Sequence, residues 1–452
     1  QGDTREVGLD QIISKKSTIY RATSSQRWPG TASVEISYIW VTRKEWEGEF
    51  LLNGKQVSGI SPYLSSFDKI TGNPYRLLAN KDKSFKGSDI YGMGFAMPPE
   101  QAEILIAKNP KNREVLFPLL NGENLNTDPQ QLPNRWVINF RDWPLDADHD
   151  DEKNPKGQPY AKDYPDCLEI VIKEVKPARD KLSSGGASAR DRAKRWWQFS
   201  RPTTALYEII SDLERVIAVA ATSRTLAFQF VPSDIVYSHA TCILTYSESE
   251  WLAILQSNLH DAWVREYSSS LKGDVRYAPS DVFETFPFPD RTDTLEQIGE
   301  TYYTHRQTIM QTRQEGLTKT YNHFHDPTCT HPDIQTLRHL HIQMDTAVAA
   351  AYGWHDLTLD HDFHDTKQGL RFTISEAARR EVLDRLLALN HHRYAEEVAQ
   401  GLHDKKKAKG KTSKGKTQKA KSKPAPAADP SGKYTTQGTL FGDDTPTQGE
   451  LF

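Results

Sequence analysis

No stretch of the 452 residues approaches the ~20 consecutive apolar side chains that a membrane helix needs, which excludes a membrane span. Cysteine is scarce. Cys167, Cys242 and Cys329 are too few for a disulfide framework, and no pair has zinc-ligand spacing. A basic-then-apolar leader is missing from the start, and with so few cysteines this points to a reducing cytoplasm. An excess of positive charge is missing too, since the formal net charge is -3. Residues 405–423 hold ten lysines and no acid, and without them 47 basic residues stand against 60 acidic ones. A body that acidic is no general polyanion binder, so any grip on nucleic acid must come from local basic patches.

What is present is polar for a globular protein: 37% hydrophobic and 26% charged. Part of the chain is therefore expected outside any core, and the length suggests roughly three domains. Ser17–Ala22 and Ala32–Val41 are β-branched and aromatic, and Val34, Ile36, Tyr38 and Trp40 alternate with their neighbours. They predict a hairpin around a Trp28-Pro-Gly turn, in a sheet whose other partners precede Gln1. From 47 to 290 short strands and loops are expected. Within that span lie helices at Asp166–Ala178 and Thr204–Leu213, neighbouring strands at 215–221 and 226–231, and one helix over Trp251–Tyr267. Helices are expected at Leu295–Glu315, Asp333–Tyr352 and Ser375–Leu402, the last with a capping box in Thr373-Ile-Ser-Glu376. Residues 404–452 cannot bury a core and are expected to be disordered.

Several patterns resemble sites without being good ones. Gly92-Met-Gly94 lacks the strand and helix of a cofactor loop, and Gly72-Asn-Pro-Tyr75 reads as a turn. His323, His325, Cys329, His331, His339 and His341 crowd together, but their spacing fits local capping better than a closed metal shell. Asp148-His-Asp-Asp-Glu152 reads as a solvated loop, and no metal site is expected.

Two segments are more promising. In Ala189–Arg201, Arg190, Arg192, Lys194, Arg195 and Arg201 interleave with Trp196, Trp197 and Phe199. That pattern suits phosphate contacts, and it suits equally a core-anchored strand with a charged rim. Ser268–Tyr277 is a small, flexible, basic loop ahead of the rigid Phe286-Pro-Phe-Pro289, able to present Lys272 and Arg276 to base edges.

Longer motifs add a resemblance. Gln1-Gly-Asp-Thr-Arg-Glu-Val-Gly8, Arg21-Ala-Thr-Ser-Ser-Gln-Arg-Trp-Pro-Gly30 and Phe117-Pro-Leu-Leu-Asn-Gly-Glu-Asn-Leu125 occur in that order. Trp136-Val-Ile-Asn-Phe140, Arg195-Trp-Trp-Gln-Phe199 and Arg276-Tyr-Ala-Pro-Ser-Asp-Val-Phe-Glu-Thr-Phe-Pro-Phe-Pro289 follow. Together they resemble the large adenine-specific DNA methyltransferases of type IIG/IIL restriction–modification and related phage-defence systems, over about residues 1–403. The resemblance implies an α+β chain. It would hold the end of a Rossmann-like methyltransferase sheet (1–46), a mixed α/β connector and target recognition domain (47–290), a helical region (291–403) and a disordered Lys-rich tail (404–452). The family's glycine motif for S-adenosylmethionine and its Asn-Pro-Pro-Tyr/Phe motif, which holds a flipped adenine, do not occur in this sequence. By the family pattern both would lie before Gln1. The chain is then the C-terminal part of such an enzyme, and it binds no cofactor and methylates nothing alone.

In such enzymes the recognition domain reads bases in the major groove. The resemblance implies base reading by Lys272, Asp274 and Arg276, and by Ser223, Arg224 and Gln229 of the paired strands. Arg190, Arg192, Lys194, Arg195 and Arg201 would hold phosphates. The expected partner is double-stranded DNA, with the missing methyltransferase or nuclease part as a separate chain. The tail carries Gln437-Gly-Thr-Leu440-Phe441 and Gln448-Gly-Glu-Leu451-Phe452, which look like the short peptide that docks bacterial DNA-processing proteins on the replication sliding clamp. The alternative function is therefore a non-catalytic DNA specificity subunit or adaptor addressed by that peptide.

Overall fold

The computed structural model describes residues 8–403 except 15–16, 29–34, 63, 65, 67–71, 151–153, 155, 158, 272–273 and 367. The leading hairpin forms from α1 (Asp10–Ser14), β1 (Thr18–Arg27) and β2 (Glu35–Thr42), with Ile19 opposite Val41 and Ala22 opposite Ile39. β1 also runs parallel to β3 (Phe50–Leu52), which turns back into β4 (Lys55–Val57) through Asn53 and Gly54, both at positive φ. The sheet order is β2-β1-β3-β4, and a small core of Ile19, Ala22, Ile60 and Leu64 lies beneath it. Pro29 and Gly30 of the expected turn lie outside the described residues.

The middle of the chain carries β5 (Ser84–Lys86), β6 (Ala96–Met97), α2 (Pro99–Lys108), β7 (Leu116–Leu120), α3 (Gly122–Thr127) and β8 (Arg135–Ile138). Then come α4 (Pro165–Glu174), α5 (Lys176–Asp180), α6 (Ala187–Lys194) and α7 (Thr204–Ile209). β9 (Arg215–Ala220), β10 (Thr222–Ser223), β11 (Gln229–Pro232), β12 (Val236–Tyr237) and β13 (Thr241–Leu244) follow. Two helices, α8 (Ser249–Gln256) and α9 (Asn258–Tyr267), precede β14 (Ser270–Leu271) and β15 (Asp274–Arg276). Three sheets result, ordered β11-β9-β13-β5, β12-β7-β8-β6 and β10-β15-β14. Buried Val, Ile, Ala and Cys side chains fill β9 and β13 on both faces, as expected for central strands covered on each side.

The single helix expected over Trp251–Tyr267 is two. Ser257 has extended backbone, and its side chain accepts from His260 N, so it ends α8 and caps α9. The apolar stripe of Leu252, Leu255, Leu259 and Trp263 survives the break, and all four are buried.

The C-terminal region holds α10 (Asp293–Arg313), α11 (Leu317–Phe324), α12 (Pro332–Ala351), a hairpin of β16 (Asp362–Thr366) and β17 (Gly369–Thr373), and α13 (Glu376–Ala399). The expected capping box does not form: Thr373 is the last residue of β17, and Ser375 alone caps α13 by accepting from Ala378 N. No helix among the described residues is long and apolar enough to cross a membrane.

α10 crosses α8 at Gly299. A Cβ there would sit 2.1 Å from the Ser249 carbonyl oxygen, so only glycine permits the approach. Glu296 and Glu300 flank the crossing and accept from Glu250 N at 2.7 Å and Ser249 Oγ at 2.6 Å, which satisfies the first turn of α8. Gly299→Ala must push the helices apart and should cost about 1–3 kcal/mol of stability in urea unfolding. An unchanged midpoint would mean that the helices slide freely.

The division at 290 is not a packing boundary. One continuous core runs from Ile217, Val219 and Phe228 through Trp263 and Phe286 to Tyr302, Met344 and Leu386. Strands of the middle region and helices of the C-terminal region bury one another.

Candidate nucleic-acid interface

A three-stranded sheet, barely longer than a turn, leaves the end of β9. β10 pairs antiparallel with β15, setting Thr222 opposite Arg276 and Ser223 opposite Val275. β14 pairs with the other edge of β15, with Leu271 opposite Asp274. Val275 and Tyr277 are buried and anchor the sheet, and Tyr277 N donates to Ala221 O at 2.9 Å. Alternation along β15 then turns Asp274 and Arg276 to the face opposite Val275, and Arg276 is exposed. Ser223 donates its hydroxyl to Thr225 O at 2.8 Å, and exposed Arg224 donates to Gln368 O at 3.1 Å. Two segments fifty residues apart, read separately in the sequence, thus meet in one sheet. Asp274 and Arg276 share the outward face with Thr222, and Arg224 directly follows β10; Ser223 corrects the sequence reading, because it sits opposite buried Val275 on the inner face, and Lys272 lies outside the described residues.

Lys86 joins them, unsuspected from sequence. It is the cross-strand partner of Cys242, whose Sγ donates to Tyr277 O at 3.2 Å. Burial pushes the Cys242 thiol up to about 12, and the charges of Lys86 and Arg276 work against that rise. Only sheet register links Lys86 to this place, and a three-residue strand advertises none.

Gln229 corrects the sequence reading, because its side chain faces the core and not the surface. It is fully buried, its Nε2 donates to Gln131 Oε1 at 2.7 Å, and its Oε1 accepts from Arg306 Nη2 at 2.6 Å. Both ends of the amide are consumed inside the protein, so Gln229 can read no base.

The phosphate candidates sit on α6 and the turn after it, where a core-anchored strand was the competing expectation. Arg190, Lys194, Arg195 and Arg201 are exposed. Arg190 Nη1 donates to Gly185 O at 2.8 Å, and Arg195 is ion-paired with Asp191 one turn back. The Arg192 guanidinium lies over the Tyr91 ring, 4.2 Å from its centroid. Arg201 exchanges backbone hydrogen bonds with Asp89 at 3.0 Å each way, tying this segment to the strand end beyond Lys86. Arg179, buried, donates to Ile90 O and Tyr91 O at 3.1 Å each, and burial and the neighbouring Arg192 lower its pKa. The aromatic residues pack inward. Phe199 is buried edge-on against Phe95, and Trp197 Nε1 donates to Trp143 O at 2.9 Å. They are core residues, leaving the charged side chains as the surface of this segment.

Residues 90–290 match the family model for the MmeI target recognition domain. β10, β14, β15 and α6 all lie within the recognition domain so delimited; α10 and everything after it lie beyond. The chain's fold is similar to a solved structure described as the type IIL restriction–modification enzyme MmeI in complex with DNA. The two share 17% identity at a TM-score of 0.53, over 87% of this chain and 48% of that one. The chain therefore spans about half the length of the solved relative that it matches. Among curated proteins no match is found.

The decoys are explained by packing. Gly94 is required because a Cβ would meet Glu174 O of α4 at 2.7 Å, so its glycine serves a helix contact. His341 is buried, its Nδ1 3.2 Å from the Tyr302 hydroxyl, whereas His339 is exposed and pairs with Gln343 on its own helix. Among the described residues no three His, Cys, Asp or Glu side chains group as metal ligands. The Gln437, Leu440, Phe441, Gln448, Leu451 and Phe452 motifs lie outside the described residues.

Proposed function

We propose that this chain is the sequence-reading part of a type IIL-like DNA modification enzyme. The observation that carries the reading is the β10-β15-β14 sheet inside the matched recognition domain, where Asp274 and Arg276 share the outward face and Arg224 directly follows β10. Arginine donates two hydrogen bonds to guanine, and a carboxylate accepts from cytosine N4, so the set can discriminate base pairs. Arg190, Arg192, Lys194, Arg195 and Arg201 would hold the phosphates that fix register.

The methyl group for an adenine-N6 product would come from S-adenosylmethionine, bound by an N-terminal core. Gly92-Met-Gly94 is a tight turn packed on α4 and serves that contact. No chemical step is assigned to this chain. Tyr38 and Trp40 are exposed on edge strand β2, in keeping with a further partner for that sheet. The rival reading, a non-catalytic specificity subunit or adaptor docked on the sliding clamp, is favoured by the twice-repeated Gln-x-x-Leu-Phe of the tail.

Selection of the full chain on a random duplex pool should enrich one short motif. Arg276→Ala, and likewise Lys272→Ala, should relax a single position of that motif, with a discrimination loss of about 1–3 kcal/mol. Arg192→Ala should instead weaken all duplexes alike. No enrichment by the parent chain, or identical profiles for all three variants, would sink the proposal.

A further inference from the structure

The hairpin after α12 lies outside the matched domain, yet it borders the reading sheet. In β16–β17, Phe363 faces Phe372 and His364 faces Arg371 across the strands. Alternation puts Phe372 on one face of the hairpin and Arg371 with Thr373 on the other. The first face is fixed by packing: Phe372 is buried edge-on against Phe324, and the Arg338 guanidinium lies 4.9 Å from the Phe363 ring centroid. The second face lies along α9, because Thr373 Oγ1 donates to Asn258 Oδ1 at 3.0 Å. Asn258, Asp261 and Arg265 recur at helical spacing on one side of α9, so Arg371 comes against Asp261 and Arg265. The hairpin turn is in turn held by Arg224, whose Nη2 donates to Gln368 O at 3.1 Å.

Three guanidiniums from three remote parts of the chain therefore converge at the rim of the reading sheet. Two carboxylates lie on this side among the described residues: Asp261, already bound to Arg265 Nε at 2.6 Å, and exposed Asp362, opposite Thr373, which accepts from Phe363 N. Arg265 Nη1 is buried with no hydrogen-bond partner among the described residues, so its charge adds to the local field without being spent on a carbonyl. Burial and the charges of Arg224 and Arg265 push Arg371 down to about 10, as expected of a half-buried cation among like charges. A free chain gains nothing from such an arrangement, whereas an anion would relieve it.

We infer that the hairpin completes the DNA-binding surface: Arg371 and Arg224, with Arg265 behind them, seat one phosphodiester of the duplex backbone beside the bases read by β10 and β15. The inference rests on the DNA-reading function proposed above. It gives Arg224 a bridging position, between the reading sheet and a phosphate clamp built outside the matched domain. Asp261 orients Arg265 and leaves the outer guanidiniums to the phosphate.

The test uses the full chain and two fluorescent duplexes, one carrying the selected motif and one of random sequence, titrated at several salt concentrations. Arg371→Met should weaken both duplexes alike by about tenfold and lower the slope of log affinity against log salt by about one. Arg371→Lys should recover part of the loss, because it keeps the charge and loses the fork. Thermal unfolding should show Arg371→Met at least as stable as the parent, an outcome that a merely structural arginine would not give. Unchanged affinity and slope in Arg371→Met, or a loss accompanied by a fall in melting temperature, would overturn the seat. Inorganic phosphate serves as the competing arm: if it raises the melting temperature of the parent and not of Arg371→Met while DNA binding is equal in both, the site is one for free phosphate. If the parent binds neither duplex, it is the DNA-reading function that fails.

Discussion

Arg306→Met should destabilise the chain by about 3–5 kcal/mol, more than the loss of any exposed side chain. Arg306 is completely buried, and its guanidinium is held without a carboxylate among the described residues. Nη1 donates to Gln256 Oε1 at 3.0 Å and to the Tyr321 hydroxyl at 2.9 Å; Nη2 donates to Phe228 O and to Gln229 Oε1. The acceptors are themselves committed, since Gln256 Oε1 also receives Phe228 N and its Nε2 donates to Leu226 O. Methionine would fill the volume and leave Phe228 O and Gln229 Oε1 without this donor in a dry interior, each costing about 1–3 kcal/mol if unrelieved, while Gln256 Oε1 keeps Phe228 N and the Tyr321 hydroxyl keeps Tyr302. Partial rearrangement and water entry bring the sum down to the range given. Urea unfolding at neutral pH reads the effect directly. A midpoint equal to that of the parent would mean that the network is ornamental, and the account of Gln229 would fall with it.

Acidification should unfold the chain well before its surface carboxylates are protonated. His260 is buried beside Tyr277 and Phe286, and burial alone lowers its pKa to about 3. Burial, then the positive charges of Arg371, His341, Arg265 and Arg338, also holds His325 well below its usual range. His341 is lowered by burial, though Asp345 opposes the shift. These folded values lie below the unfolded value of about 6.5, so on acidification the unfolded chain takes up protons first. Their stabilising effect is complete above pH ~6.5 and is lost as pH falls below it, at about 1.4 kcal/mol per pH unit for each histidine that stays neutral in the fold. Asp333 and Asp345, whose pKa values are lowered, extend the loss in the same direction below about pH 4. Urea midpoints at pH 7.5, 6.5, 5.5 and 4.5 should be level over the first step and drop progressively after it. A flat profile down to pH 5 would contradict the neutral burial of all three rings.

Local pattern makes much of this architecture legible in the sequence. The hairpin at 18–42, the strands at 215–220 and 229–232, and the long helices near 293–313, 332–351 and 376–399 follow from alternation and helical spacing. What local pattern misses is decided by one residue or by distant pairing. Ser257 splits a helix because its hydroxyl and backbone cap the second half. Gln229 has the sequence context of a base reader near Arg224, yet its fate depends on Arg306, 77 residues away, and on Gln131, 98 residues away. The pairing of Thr222 with Arg276 needs strand register, and Arg265 and Arg371 are ordinary surface cations until α9 and β17 meet at the Thr373–Asn258 contact. Composition reveals the basic residues at 190–201 but not their helix, because Ala187–Lys194 buries no residue and so carries no apolar period.

The core shared across residue 290 bears on how such chains can diversify. Phe228, Trp263 and Phe286 pack in the same interior as Tyr302, Met344 and Leu386. A recombination event at 290 would join two half-interiors with separate histories, and most such hybrids would be lost to misfolding before any change of specificity could be selected. Point substitutions on the exposed face of β10 and β15 leave that interior untouched. Under the proposed function, changes of specificity should therefore arise by drift of a few rim side chains, with the strands and the C-terminal helices inherited as a single block.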